Sequence, residues 1–307
     1  MPIGRCRLCG FESDLQLSHI LPAFLYRWMR TTSGNSHLRY GGAPNKRVQD
    51  GLKYYWLCAS CETLLSGSET AFANNLFYPY EKDESLRIAY DEWLLHFCVS
   101  VSWRVLRYYI EETPLETEES DSFGRIAEAE STWKAFLRGQ RPHPGPFQQH
   151  LLPFSQIDSI SSSLEDLSPS LNRYLMRTID MDFCRSDTML CVFSKFGPFA
   201  ILGFIREDRP SQWNGGKVHV RNGWIEPRKY KMPAAFFHYL NSKARKSAEI
   251  LAGISPRQAD KIDKAFHANK DHYVGSGEFL AMLNDIRLFG DAAFSQDRSQ
   301  TDEEKET

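Results

Sequence analysis

Two Cys-x-x-Cys pairs, Cys6/Cys9 and Cys58/Cys61, flank the stretch Ser18-His19-Ile20-Leu21-Pro22 near the start of the chain. They constrain its folding more than any other feature. Each Cys-x-x-Cys turn can aim two sulfurs at one ion, and two such turns complete a tetrahedron. The long separation between the pairs is no obstacle. Metal binding offsets the entropy of closing the loop, and a small module without much core needs such a staple. The spacing therefore predicts a structural Zn2+ on Cys6, Cys9, Cys58 and Cys61. Two other readings stay open: unrelated thiol pairs, or a redox Cys-x-x-Cys, which needs a thioredoxin-like strand–helix context that neither pair shows. The other three of the seven cysteines, Cys98, Cys184 and Cys191, lie in apolar surroundings and are expected to be buried thiols. Met1-Pro-Ile-Gly-Arg runs straight into the first pair and resembles no signal peptide, so thiols and metal are favoured over disulfides and the expected compartment is the cytoplasm.

The 307 residues exceed one typical domain, and a hydrophobic fraction of 42% allows a sizeable core. A net charge of −2 excludes a polycation. Residues 1–80 differ, with eight Arg/Lys against five Asp/Glu. That excess would help hold phosphates, through Arg27, Arg30, Arg39, Lys46 and Arg47. Trp93–Ile110 is the longest apolar tract, but His96, Ser100, Ser102, Arg104 and Arg107 interrupt it. It reads as a buried amphipathic helix, and no membrane span is expected.

The pattern predicts an α+β chain. Residues 1–80 form a small metal-stapled module, 81–140 a helical region, 141–290 an α+β domain with an antiparallel sheet, and 291–307 a disordered acidic tail. Within the first module, residues 32–53 read as an exposed loop, Tyr54–Leu57 as a short strand, and Cys61–Leu76 as a helix. A long helix is expected over Glu84–Glu112, then an acidic linker over Glu111–Asp121 and a helix over 123–138. Ile179, Met181 and Phe183 alternate with Asp180 and Asp182, the period of a strand with one buried face. Asn222-Gly223 is a hairpin signal. A sheet of four or five strands is therefore expected over 172–230, followed by helices at 233–252, 256–268 and 275–288. Asp180 and Asp182 could bind Mg2+, but a solvated strand face is the simpler reading.

Together, Cys6-Arg-Leu-Cys9, Leu17-Ser-His-Ile-Leu-Pro22 and Leu57-Cys-Ala-Ser-Cys-Glu62 resemble the HNH endonuclease family. The resemblance covers residues 5–77. It implies a ββα-metal or treble-clef unit, in which two strands and a helix surround a divalent ion and the four cysteines hold a separate structural zinc. By the same resemblance His19 is the general base, a role suited to imidazole near neutral pH. A catalytic Mg2+ or Mn2+ would stabilise the leaving oxygen. Glu62 stands where the family has a metal-binding His or Asn, and a carboxylate is an acceptable hard ligand there.

The chain also departs from the family pattern. Ser18 stands where many members place an acid, and the stretch before Cys58 lacks the usual Asn, with Asp50 the nearest substitute. Glu69, two helical turns beyond Glu62, could supply a further carboxylate. His19 has two alternative roles: a structural histidine in a module that lost catalysis, or a zinc ligand replacing one cysteine. The leading function is a DNA endonuclease. The alternatives are a non-catalytic zinc finger that binds nucleic acid, and a protein-interaction module.

Overall fold

The computed structural model describes residues 1–33, 37–112, 120–159, 166–227 and 229–293. Along them run β1 (Ile3–Arg5), β2 (Glu12–His19), α1 (Ala23–Thr31), β3 (Leu38–Tyr40), β4 (Ala43–Val48), β5 (Lys53–Cys58) and α2 (Ala59–Phe72). After a π-helical turn at Ala73–Phe77 come α3 (Tyr78–Lys82), β6 (Ile88–Tyr90), α4 (Glu92–Glu111), α5 (Ser120–Leu137), β7 (Gln149–Pro153) and α6 (Leu171–Arg177). The chain continues with β8 (Ile179–Ser186), β9 (Met189–Phe196), β10 (Phe199–Glu207), β11 (Gly223–Ile225), α7 (Ala234–Ala252), α8 (Pro256–Ala268), α9 (Lys270–Val274) and α10 (Gly277–Phe289). The fold is α+β with antiparallel sheets, as expected. Among the described residues no helix is long and apolar enough to cross a membrane.

These elements gather into two compact units, each drawn from three separated stretches. The first takes Met1–Leu25, Gly51–Phe154 and Ile179–Met232; the second takes Tyr26–Asp50, Ser155–Thr178 and the chain from Pro233 onward. The helical stretch 81–140 and the strands after 141 are thus not separate bodies. α4 lies directly on the sheet built from β7, β10, β9 and β8.

In the first unit, β2 pairs with β1 and with β5, so Leu15 faces Cys58 and His19 faces Lys53. A bulge between Gln16 and Leu17 shifts the alternation. Leu15 and Ser18 are buried, while Leu17 is exposed. Such a bulge re-aims the side chains beyond it. Leu190–Phe196 and Phe199–Ile205 are buried throughout, because β9 and β10 are covered on both faces. Gly203 makes this close layering possible: a Cβ there would lie 2.6 Å from Ser102 Oγ and 3.0 Å from the Trp133 ring. Phe72 of α2 stacks on Phe97 of α4 at 3.9 Å and meets Phe196 and Phe199 edge-on, joining α2 to the sheet core.

Several expectations are corrected here. The long helix begins at Glu92, since Ile88–Tyr90 form β6 and the Asp91 side chain caps α4 by accepting the Trp93 amide at 3.1 Å. The α-helix after Cys61 starts at Ala59 and gives way to the π turn after Phe72. The loop expected over 32–53 contains the β3–β4 hairpin, with Leu38 opposite Val48 and Arg39 opposite Arg47. The sheet expected within 172–230 takes its fourth strand from β7 instead, and residues 171–177 are helical. Asn222-Gly223 makes no hairpin, because β11 pairs with β6 and the Tyr90 hydroxyl accepts the His219 amide at 3.0 Å. Part of the acidic linker and the tail beyond 293 lie outside the described residues.

In the second unit, α6 packs against α10 and α7. The fully buried Asp285 caps α6, accepting the amides of Asn172 at 2.8 Å and Arg173 at 3.2 Å and pairing with the Arg173 guanidinium at 2.9 Å. Asn45 of the hairpin bonds the turn before α8, through Gly253 O at 3.2 Å and Ser255 N at 2.7 Å.

His150 of β7 is buried against the rings of Phe204 and Trp213. Burial, with Lys217 and His219 nearby, pushes its pKa down to about 4 from an ordinary 6.5. The unfolded chain therefore takes up this proton first. The stability His150 contributes is present above about pH 6.5 and is lost as the pH falls through about 4. The expected loss between these limits is at most about 3 kcal/mol. Urea unfolding at pH 7 and pH 4.5 checks this, and His150→Gln should remove most of that pH difference.

Candidate metal centre and cationic cleft

β1 and β2 are joined by a tight knuckle. The Cys6 amide bonds Phe11 O at 2.9 Å, the Gly10 amide bonds Cys6 O at 2.9 Å, and Gly10 takes φ 82°, a conformation glycine accepts without strain. The Arg7 amide bonds Trp56 O at 2.8 Å, which holds the knuckle beside β5. β5 ends at Cys58, and Cys61 lies in the first turn of α2. The sulfurs of Cys6, Cys9, Cys58 and Cys61 all lie within 4.8 Å of one another, so the four can hold a metal ion. Cys9 and Cys58 Sγ are 3.9 Å apart, and the Cys58 amide points at Cys6 Sγ at 3.4 Å.

Electrostatics in this cluster favour a cation. Burial alone would raise the Cys6 thiol, but the amides of Cys9, Cys58 and Leu8 bring it down to about 7. Burial and the neighbouring sulfurs push Cys61 up. Four thiols so close cannot all ionise without a cation to balance them. The other three cysteines are buried free thiols, and Cys184 and Cys191 face each other across β8 and β9.

His19 closes β2, is half-buried, and lies four residues from Leu15, the partner of Cys58, which is roughly 13 Å of strand. Its backbone is fixed by Arg104. This α4 guanidinium is buried, donates to His19 O at 3.1 Å, and pairs with Glu69 at 2.6 Å. It also donates to Ser100 O at 3.3 Å and Ser100 Oγ at 3.2 Å. Glu69 is thus committed to an ion pair. Glu62, in the first turn of α2, is half-buried, and its Oε1 is buried with no hydrogen-bond partner among the described residues. Asp50 is half-buried at the bend before β5 and belongs to the second unit.

The proposed phosphate binders, Arg27, Arg30, Arg39, Lys46 and Arg47, also belong to the second unit. Arg27, Lys46 and Arg47 are exposed; Arg30 and Arg39 are half-buried. Arg30, Thr31, His37 and Gln49 line a cavity of about 450 Å3. Arg30 donates to Gln49 O at 2.9 Å and Arg39 to Pro44 O at 2.6 Å. Burial, helped by Arg47, Arg39 and Arg30, holds the His37 imidazole below its ordinary value; burial and Arg47 lower Arg39. Arg39 and Arg47 are direct cross-strand partners, an arrangement that destabilises a bare hairpin. Among the described residues none of Arg30, Arg39 and Arg47 pairs with a carboxylate. The cleft thus carries a local excess of positive charge. His37 and Gln49 were not singled out by the sequence, since a lone histidine and glutamine carry no signal until the hairpin folds.

No family model matches the chain, no curated protein matches it, and no solved structure matches it.

Two outcomes follow from this geometry. The protein is expected to bind one metal ion per chain, and chelation should expose four rapidly reacting thiols. Thiol titration with a chromogenic metal indicator measures both, and Cys58→Ser should weaken retention of the ion. Arg104→Met leaves the half-buried Glu69 without its partner and should cost up to about 3 kcal/mol. Urea unfolding should show that adding Glu69→Gln recovers part of that loss.

Proposed function

We propose that the chain is an HNH-like, metal-dependent endonuclease that hydrolyses phosphodiester bonds in DNA, built on a treble-clef-like module with a structural Zn2+. The observation that carries this reading is the order of β2, β5 and α2. One strand ends at His19, its partner runs into the second cysteine pair, and the following helix holds Glu62 in its first turn. The buried Glu62 oxygen without a donor is costly as it stands, and a hard divalent cation would satisfy it. Zinc fits the thiolate set: tetrahedral sulfur coordination is typical of it, and Zn–S bonds of ~2.3 Å give S···S edges of about 3.8 Å.

In this reading the zinc is structural and takes no part in chemistry. His19 accepts the proton of the attacking water. Its main chain is held by Arg104, which limits the positions from which the ring can act. A Mg2+ or Mn2+ ion held by Glu62 would supply positive charge at the phosphate and the leaving oxygen. Each cleavage breaks one P–O bond and forms one P–O bond from water, leaving a phosphate end and a hydroxyl end.

The second reading is a zinc-finger module that binds nucleic acid without cutting it, and the cationic cleft favours it. Arg30, Arg39, Arg47 and His37 can hold backbone phosphates whether or not His19 is active.

Plasmid nicking separates the two. With Mg2+ or Mn2+ the wild type is expected to convert supercoiled to open-circular DNA, and His19→Ala should slow this by roughly 10²–10⁴-fold. Equal cleavage by the variant would remove His19 as the base. Binding without cleavage in either ion would favour the second reading. In both readings Arg39→Ala and Arg47→Ala should each reduce the slope of log affinity against log salt by about one.

A further inference from the structure

A second cavity, of about 800 Å3, opens in the first unit beside the middle of α2. Gly67 and Ser68 form part of its lining, and they sit roughly 10 Å along the helix from Cys61. Its size is that of a small-molecule site. Trp93 and Phe136 supply aromatic surface. The Trp93 indole N–H makes no hydrogen bond among the described residues. Arg141 and Arg221 supply two guanidiniums; Arg141 donates a hydrogen bond to the Thr132 hydroxyl at 3.2 Å, and neither pairs with a carboxylate among the described residues. Glu92 adds an acceptor. The His96–Ser68 pair, 3.1 Å apart, makes one wall polar.

Gly67 adds no side chain to this wall of the cavity. Glycine weakens the interior of a helix, so it needs a reason. Packing is not that reason, because a Cβ at Gly67 would meet nothing within 4 Å. Gly67 lines the cavity, so a large side chain at this position would compete for that space.

The geometry points to a nucleoside 5′-phosphate unit as the ligand: a base against Trp93 and Phe136, a phosphate on Arg141 and Arg221, and sugar hydroxyls donating to Glu92. Aromatic stacking tolerates any base, and guanidiniums match phosphate in a fork geometry. The unit can be a free nucleotide or one turned out of a single strand. The site does not rest on the cleavage reading, and His19→Ala is expected to leave its ligand binding as in the wild type.

Calorimetric titration of the full chain with adenosine 5′-monophosphate, inorganic phosphate and a short single-stranded oligodeoxynucleotide tests this. The wild type is expected to bind the monophosphate more tightly than phosphate alone. Arg221→Ala, an exposed change that spares the fold, should weaken binding roughly tenfold or more. Gly67→Leu should abolish it while the far-UV circular dichroism stays native. Gly67→Leu-sensitive binding of the oligonucleotide but not of the monophosphate would identify the strand as the source of the ligand. Measurable binding of inorganic phosphate as tight as that of the monophosphate would overturn the inference, as would binding unchanged in both variants or no binding of either nucleotide ligand by the wild type.

Discussion

A single buried guanidinium ties the N-terminal module to the body of its unit. Arg104 sits on α4, which lies on the β7–β10–β9–β8 sheet, and it reaches Glu69 on α2 and the His19 carbonyl on β2. One side chain thus fixes a strand, a helix and the helix beneath them in one register. Breaking such a pair leaves a charge stranded in low dielectric, so the arrangement resists drift even though its net contribution to stability is small. The stacked Phe72 and Phe97 rings supply the apolar part of the same junction.

This junction divides the labour along α2. Its first turn carries Cys61 and the partnerless Glu62 oxygen, its middle opens onto the larger cavity at Gly67 and Ser68, and its end is locked by Glu69 and Phe72. A carboxylate on this helix is therefore a ligand candidate or an anchor according to where the helix meets α4. Glu62 and Glu69 share a helix face in sequence, yet only Glu69 lies within reach of a buried arginine.

The cysteine spacing was legible because two Cys-x-x-Cys turns admit few arrangements, and the strands of β8, β9 and β10 were legible from their apolar alternation and runs. The β3–β4 hairpin was not, because Arg39, Asn45, Lys46 and Arg47 give it the polarity of a loop. Its partner contacts, Asn45 with Gly253 and Ser255, come from residues about 200 positions away. Asn222-Gly223 misled for a related reason: turn chemistry permits a hairpin, but Tyr90 and β6 were already there to pair with β11. The interruptions in the α4 tract were visible as polar residues. That Ser102 meets Gln149 at 2.7 Å and Arg104 meets Glu69 follows from the sheet and α2 arriving beside them.

By itself the sequence determined which four thiols could share a metal ion, the α+β class and the local excess of positive charge, since each depends on residue type and short spacing. Only the tertiary structure decided which charges are paired. It committed Glu69 to Arg104, left the Glu62 oxygen without a donor among the described residues, and set Arg39 opposite Arg47 beside His37. The reason is physical: a charged group acts according to the dielectric and partners around it, and those are supplied by segments far away in the chain.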